Sequence, residues 1–372
     1  MRRPYKIFLL ARRTANGIQN HMNIEKIKIG ILGATGIVGQ RLVQLLEHHP
    51  WFEIGFLAAS EKSAGKTYQE ACNWKLASPM PALFREMIVE KIGEPPRRQE
   101  KLVFSSLDAS IATEVEDAFA RAGHAVISNS SAYRMHEDVP LLIPEINADH
   151  MALLETQKKN RNGFIITNPN CSATALALAL APLDQQFGIE AVFVTTAQAV
   201  SGAGYPGVAS LDVLGNVLPF IPNEEEKIER ETKKIFGKIS DGLVVSHPMK
   251  ISAQSTRVPV IDAHTEMVSV KLKRTARPEE VRELFLRYRC KYSGHDLPSA
   301  PAKPVIVRDE ADRPQPRLDA EAARGMATVV GRIRKCPVFD VKFVLVGHNT
   351  IRGAAGAAIL NAELLKAEGY LA

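Results

Sequence analysis

Apolar positions along the chain fall into two regimes. Before residue 170, short apolar runs alternate with stretches of helical spacing. Beyond it, the runs lengthen into strand-like segments. The first run, Ile27-Lys28-Ile29-Gly30-Ile31-Leu32, predicts a strand, and Leu42, Leu45 and Leu46 predict the helix that follows. Ile54-Gly55-Phe56-Leu57-Ala58 predicts a second strand, closing a βαβ unit. Further strands are predicted over 102–105, 125–128 and 164–167, with helices between them. An Ala/Leu-rich helix starts at Cys171, and strand-like runs then cover 191–200, 265–271, 326–334 and 338–347. A helix through Leu364 ends the chain. Residues 94–100 and 303–317, rich in Pro and Arg, read as loops. The fold class is therefore α/β: a doubly wound parallel sheet followed by an α+β unit with a mostly antiparallel sheet.

The glycines sharpen this picture. Gly33-Ala34-Thr35-Gly36-Ile37-Val38-Gly39 lies between the first strand and the first helix, which makes it a Rossmann-type dinucleotide fingerprint. Glycine lets the backbone approach a pyrophosphate, and the helix N-terminus offers it N–H donors. After the second strand, Ser60, Lys62 and Ser63 supply two hydroxyls and a cation suited to a ribose 2′-phosphate. They point to NADP(H), while Glu61 keeps NAD open as the alternative.

Composition narrows the function classes. At 372 residues the chain is long enough for two domains, and its 45% hydrophobic and 24% charged residues are ordinary for a globular protein. The net charge is +6, but Arg2, Arg3, Lys6, Arg12 and Arg13 in an acid-free N-terminal stretch account for five of those charges. The rest is nearly neutral, so no nucleic-acid footprint is expected. Residues 1–25 are expected to be a disordered or dispensable extension. Organelle targeting by 1–24 is the minority reading, and Met22 is an alternative start. No segment is long and apolar enough to suggest a membrane partner. Cys72, Cys171, Cys290 and Cys336 lack metal-ligand spacing, so no metal is expected and a reducing, cytoplasmic setting fits.

Candidate chemistry centres on Asn168-Pro169-Asn170-Cys171-Ser172-Ala173. The break at Pro169 and Asn170 puts Cys171 at a helix N-terminus, where free amides and the macrodipole favour a thiolate nucleophile. A buried structural cysteine is the other reading of the same position. A thiol nucleophile needs a proton partner. His264, close after Arg257 at the start of a predicted strand, is the candidate, although a surface or core histidine is the commoner case. Arg134, in the small-residue loop 128–134, could hold phosphate. Glu224 and Lys227 share one face of a helix start, which also suits a plain solvated helix.

Together, the 33–39 glycine loop, the Ala58–Lys66 segment, Asn168–Ser172, Gln198–Gly207, Arg257…His264 and the closing Asn349-Thr350-Ile351-Arg352-Gly353-Ala354-Ala355-Gly356 resemble the aspartate-β-semialdehyde dehydrogenase family. The branch most similar is the one typical of archaea and fungi, and the likeness runs from about Ile27 to the C-terminus. It implies reductive dephosphorylation of L-aspartyl-4-phosphate to L-aspartate 4-semialdehyde with NADPH, a step in making the aspartate-family amino acids. Cys171 would form a thioester, His264 would act as acid/base, and Gln198 would position the acyl group. Arg257 and Glu224 would hold the substrate carboxylate and ammonium, and Arg134, Asn170 and Lys227 would receive phosphate. Gly33, Thr35, Gly36, Ile37, Val38, Gly39, Ser60, Lys62, Ser63, Ser201, Gly202, Asn349 and Gly353 would bind NADP(H). The resemblance divides the chain into a dinucleotide-binding domain (26–169 plus 350–372) and a catalytic and dimerisation domain (170–349), assembled as a homodimer or homotetramer. Two departures stand out: Ala263 where the family has Gly, and Ala173 where Thr is usual. The rival readings are an NADPH-dependent malonyl-CoA or succinyl-CoA reductase on the same scaffold, which needs no ammonium or phosphate site, an N-acetylglutamyl-phosphate reductase, which shares the plan but matches these motifs less well, and a catalytically silent NADP-binding scaffold.

Overall fold

The computed structural model describes residues 25–371 except 94, 96–99 and 293–296. The N-terminal extension and most of the loop expected over 94–100 lie outside the described residues.

Six strands, β1 (Ile27–Leu32), β2 (Phe52–Ala59), β3 (Val89–Lys91), β4 (Leu102–Ser105), β5 (Ala125–Ser128) and β6 (Phe164–Thr167), form an all-parallel sheet in the order β3-β2-β1-β4-β5-β6. β4, β5 and β6 are buried at every position, as expected of strands covered on both faces. Helix α1 (Ile37–Leu46) packs Leu42, Val43 and Leu46 on one face, where the chain-terminal helix joins it through Ile359, Leu360 and Leu364. Helix α2 (Ala109–Arg121) covers the other face with Ala112, Phe119 and Ala120.

Helix α3 (Cys171–Phe187) leads from β6 into the second sheet. It is buried from Ser172 to Leu183 and carries no polar stripe, the pattern of a helix enclosed by protein. The second sheet contains β7 (Ile189–Gln198), β10 (Lys250–Arg257), β11 (His264–Leu272), β12 (Val305–Arg308), β13 (Thr328–Lys335) and β14 (Val341–Gly347). A small hairpin of β8 (Lys238–Ser240) and β9 (Leu243–Val245) stands apart. The order is β10-β7-β11-β14-β13-β12. The three inner pairs are antiparallel and the two outer pairs, β10–β7 and β12–β13, are parallel. One face packs against α3 and helix α5 (Pro278–Arg287), burying Leu176, Leu180, Val194, Val268, Phe285 and Phe343. Helix α4 (Glu224–Ile235) lies against α3 and β10, and α6 (Gly356–Ala367) closes the chain on the first sheet.

Five strands escape the sequence pattern: β3, β8 and β9, each of three residues, and the longer β12 and β10. The run expected to be a long loop over 303–317 contains β12, and the short helix Pro316–Asp319 follows it. Four residues between prolines and arginines are too short to show a period. β10, reading Lys-Ile-Ser-Ala-Gln-Ser-Thr-Arg, lacks apolar alternation because it is an edge strand that buries mainly small and polar side chains.

Candidate active site

The C-terminal ends of β6, β7 and β10 and the start of β11 meet at the N-terminus of α3. Cys171 is the first residue of that helix, with Asn170 as its cap. The Asn170 side-chain oxygen accepts from the amides of Ser172 (2.9 Å) and Ala173 (3.0 Å). Its amide donates to Glu224 Oε1 at 2.8 Å. Asn170 therefore uses its side chain to fix the helix start and to hold a buried carboxylate.

His264, the first residue of β11, places Nε2 3.1 Å from Cys171 Sγ. Its Nδ1 accepts the Ala199 backbone N–H at 3.0 Å. Burial, with Arg257 and His348 nearby, pushes the imidazole down to about 3, so the ring is neutral at physiological pH. Position on the helix favours a thiolate, but the surroundings of Cys171 oppose it. Burial and then Glu224 push the Cys171 thiol up to about 12, against opposing pulls from Arg134, the Ser172 amide and Arg257. The helix-terminal amides that would favour a thiolate are largely satisfied by Asn170, so desolvation wins.

Polar groups surround this pair. Gln198, at the end of β7, donates to Ser172 Oγ (3.0 Å), Thr196 Oγ1 (3.3 Å) and Glu224 Oε1 (2.9 Å). Arg257, at the end of β10, is 5% exposed and donates to the Ala199 carbonyl at 2.8 Å. Gly202 lies against both, since a Cβ there would stand 3.0 Å from Arg257 Nη1 and 3.1 Å from His264 Cε1. Arg134 reaches in from the loop after β5, donating to the Asn129 carbonyl (2.7 Å) and pairing with Glu231 (3.1 Å). Lys227, on α4 one turn beyond Glu224, is half-buried and has no side-chain partner among the described residues.

Glu231 was not read from the sequence. It is 2% exposed, and while one oxygen holds Arg134 the other accepts the Asn170 backbone N–H at 2.5 Å. Lys234 donates to the carbonyls of Arg134, His136 and Val139, which fastens the Arg134 loop to α4. A signal was present: Glu224, Lys227, Glu231 and Lys234 follow one another at three, four and three residues, along one helix face.

The glycine loop fits a dinucleotide. Gly33 has φ +82°, and a Cβ at Gly39 would come within 2.2 Å of the Gly33 carbonyl oxygen and 2.7 Å of Ala34 Cα. Gly36 caps α1 without a side-chain bond, leaving the first-turn amides of Ile37 and Val38 free of one. Thr35 lies in this turn, its carbonyl accepting from Gln40. Ser60, Lys62 and Ser63 form the turn after β2. Glu61, the residue that would favour NAD, instead pairs with Lys91 at 2.8 Å. Beyond β14, Asn349 donates to Ser201 Oγ (2.8 Å) and accepts from the Ala263 amide (2.8 Å). Gly353 sits in a wide, π-helical turn (Ile351–Ala355) directly on the nucleophile, where a Cβ would be 2.5 Å from Cys171 Cβ.

Comparison with known proteins agrees with this geometry. Residues 28–154 match the family model described as semialdehyde dehydrogenase, NAD binding domain, and residues 180–352 match the one described as semialdehyde dehydrogenase, dimerisation domain. The chain is 49% identical over 343 residues to an aspartate-semialdehyde dehydrogenase of Archaeoglobus fulgidus, covering 91% of this chain and 98% of that one. It is 45% identical over 359 residues to the enzyme of that name from Cryptococcus neoformans, covering 93% and 98%. The crystal structure of aspartate semialdehyde dehydrogenase with NADP from Candida albicans superposes with a TM-score of 0.87 at 42% identity, covering 93% of this chain and all of that one.

Proposed function

The chain belongs to the aspartate-semialdehyde dehydrogenase family, and on that premise we propose how its residues carry out NADPH-dependent reductive dephosphorylation of L-aspartyl-4-phosphate to L-aspartate 4-semialdehyde. The observation that carries the assignment is the 3.1 Å contact between Cys171 and His264 at the start of α3, with Arg257, Glu224 and Arg134 close to the sulfur. Arg257 offers a guanidinium fork to the substrate carboxylate, and Glu224 balances its ammonium. Arg134, with Asn170 and Lys227, receives the phosphoryl group. The need for both an ammonium and a phosphate site favours the aspartyl substrate over an acyl-CoA.

Cys171 attacks the acyl carbon, expels phosphate and holds the acyl group as a thioester. NADP(H), held by the 33–39 loop, Ser60, Lys62, Ser63, Ser201, Gly202, Asn349 and Gly353, supplies the hydride equivalent when bound. Gln198 keeps Ser172 and Glu224 in place around the acyl group. His264, with Nε2 beside the sulfur, acts as the acid/base that handles the proton of the hemithioacetal, whose collapse releases the aldehyde.

We assign cofactor binding to 26–169 plus 350–372, and catalysis and dimerisation to 170–349. Leu211, Leu214, Val217, Phe220 and Ile261 are exposed apolar residues of the second unit, which supports a homodimer or homotetramer. Among the described residues no helix is long and apolar enough to cross a membrane, and we place the enzyme in the cytoplasm.

The test is phosphate-dependent reduction of NADP by aspartate semialdehyde, with wild type and Cys171→Ser. Activity that needs phosphate and vanishes in the variant supports the assignment. Reduction that needs coenzyme A in place of phosphate would transfer it to an acyl-CoA reductase, and no turnover with either would leave a silent scaffold.

A further inference from the structure

Glu116, on α2, is a fully buried carboxyl group that none of the chemistry at Cys171 calls for. It takes both of its hydrogen bonds on one oxygen. Oε1 accepts from Ser105 Oγ (2.6 Å) and Ser128 Oγ (2.7 Å), while Oε2 has no partner among the described residues. Ser105 ends β4, Ser128 ends β5, and the two stand opposite each other in the sheet. One carboxyl therefore brackets two neighbouring strand ends. Burial raises it above the ordinary carboxylate range, against the pull of the two hydroxyls and of Arg134.

A further bond gives the bracket a direction. Ser128 Oγ also accepts the Ser130 backbone N–H at 3.0 Å. A hydroxyl has one proton, and giving it to Glu116 leaves Ser128 only lone pairs to present to that amide. The N–H belongs to the peptide joining Asn129 to Ser130. The carbonyl of the same peptide, the Asn129 oxygen, accepts from Arg134 Nη2 at 2.7 Å. In a planar trans peptide the N–H and C=O point opposite ways, so holding one aims the other. The Asn129 amide bonds the Ser105 carbonyl and its side chain accepts from Asn168, but those bonds leave the rotation of the following peptide free. Ser128 is what fixes it.

Resting on the function proposed above, we propose that Glu116 is a positioning residue of the phosphate subsite, acting through Ser128 and the Asn129–Ser130 peptide to set the guanidinium of Arg134. The relay reads Arg134 Nη2–H to the Asn129 carbonyl, Ser130 N–H to Ser128 Oγ, and Ser128 O–H to Glu116 Oε1. The other arm of the guanidinium, Nη1, pairs with Glu231. Loss of the relay leaves that pair in place and lets Arg134 turn about it. The defect is therefore confined to phosphate: the Cys171–His264 contact, Arg257 and the glycine loop make none of these bonds. Ser105, the second arm of the bracket, bonds Glu116 without touching the Asn129–Ser130 peptide through its hydroxyl.

The test is initial rates of phosphate-dependent oxidation of aspartate semialdehyde, with phosphate, NADP and the aldehyde varied in turn. Ser128→Ala deletes the hydroxyl and little volume. It should raise KM for phosphate at least roughly fivefold, with the other two KM values and kcat at saturating phosphate within about threefold of wild type. Glu116→Leu should show the same selective rise, and Glu116→Gln, whose Oε1 still accepts, should restore KM for phosphate to within about twofold. Ser105→Ala should also stay within about twofold. An unchanged phosphate KM in Ser128→Ala, an equal rise in Ser105→Ala, no rescue by Glu116→Gln, or a parallel rise in all three KM values overturns the proposal. Ser128→Ala decides the matter even where Glu116→Leu does not fold. A wild type that turns over without phosphate overturns the proposed function and the relay with it, whereas a phosphate-dependent wild type with unselective variants overturns the relay alone.

Discussion

Arg352 makes the account quantitatively testable away from the chemistry. It lies in the turn that carries Gly353 onto Cys171, is 1% exposed, and forms a two-pronged pair with Glu145 at 2.7 and 2.6 Å. Glu145 sits between β5 and β6, so the pair ties the segment after β14 to the first sheet. Replacing Arg352 by Met keeps most of the volume but leaves a buried carboxylate without its partner. Breaking such a pair from one side costs about 3–5 kcal/mol. With an unfolding entropy of about 2.1 cal/mol/K per residue, a cooperative chain of this length would lose about 4–6 °C in Tm. Glu145→Gln, which strands the guanidinium, should cost a similar amount. The double variant Arg352→Met/Glu145→Gln, with no buried charge left, should recover at least half of the loss. Urea unfolding followed by circular dichroism measures all three. The reasoning is refuted if Arg352→Met lies within about 1 kcal/mol of wild type, or if the double variant is no more stable than either single one.

Three further outcomes follow from the same geometry. Gly353→Ala puts a methyl group 2.5 Å from Cys171 Cβ and should lower kcat at least roughly tenfold while the fold survives; unchanged turnover would mean the turn yields freely. Alkylation of Cys171 by iodoacetamide in the free enzyme should keep accelerating above pH 8, and Glu224→Gln, which removes the second cause of the raised thiol, should speed it at pH 7; a plateau near pH 7 would show a resting thiolate. Glu266, two residues beyond His264, is fully buried with neither carboxyl oxygen hydrogen-bonded, and burial followed by Glu224 holds its carboxyl well above the ordinary range. The folded state then keeps a proton that the unfolded chain releases above about pH 4.3, so this residue's contribution to stability falls as pH rises. The Tm advantage of Glu266→Gln should accordingly grow from pH 5 to pH 8, and a constant or shrinking difference would contradict the burial argument.

What the sequence made legible was local. β1, the glycine loop and α1 follow one another within twenty residues, and Cys171 is marked by the strand, proline and asparagine before it. The Ala263 departure was also visible. The structure places it at φ +73° and fully buried, the left-handed conformation that glycine adopts at least cost, with its amide held by Asn349. The partnerships were not legible. Glu231 meets Arg134 across 97 positions, and Arg352 meets Glu145 across 207, separations at which no periodicity operates. The groups that oppose ionisation of Cys171 were out of sight for a related reason. Position on the helix is a local property, whereas burial and the approach of Glu224 depend on the assembled fold.

The central claim is a phosphate-labile acyl group on Cys171. Incubating the enzyme with aspartate semialdehyde and NADP, without phosphate, and measuring the intact protein by mass spectrometry addresses it most directly. The account predicts one aspartyl adduct per chain, mapped to Cys171, absent in Cys171→Ser and discharged when phosphate is added. An adduct elsewhere, one that persists in Cys171→Ser, or none in an enzyme that turns over once phosphate is supplied would contradict it.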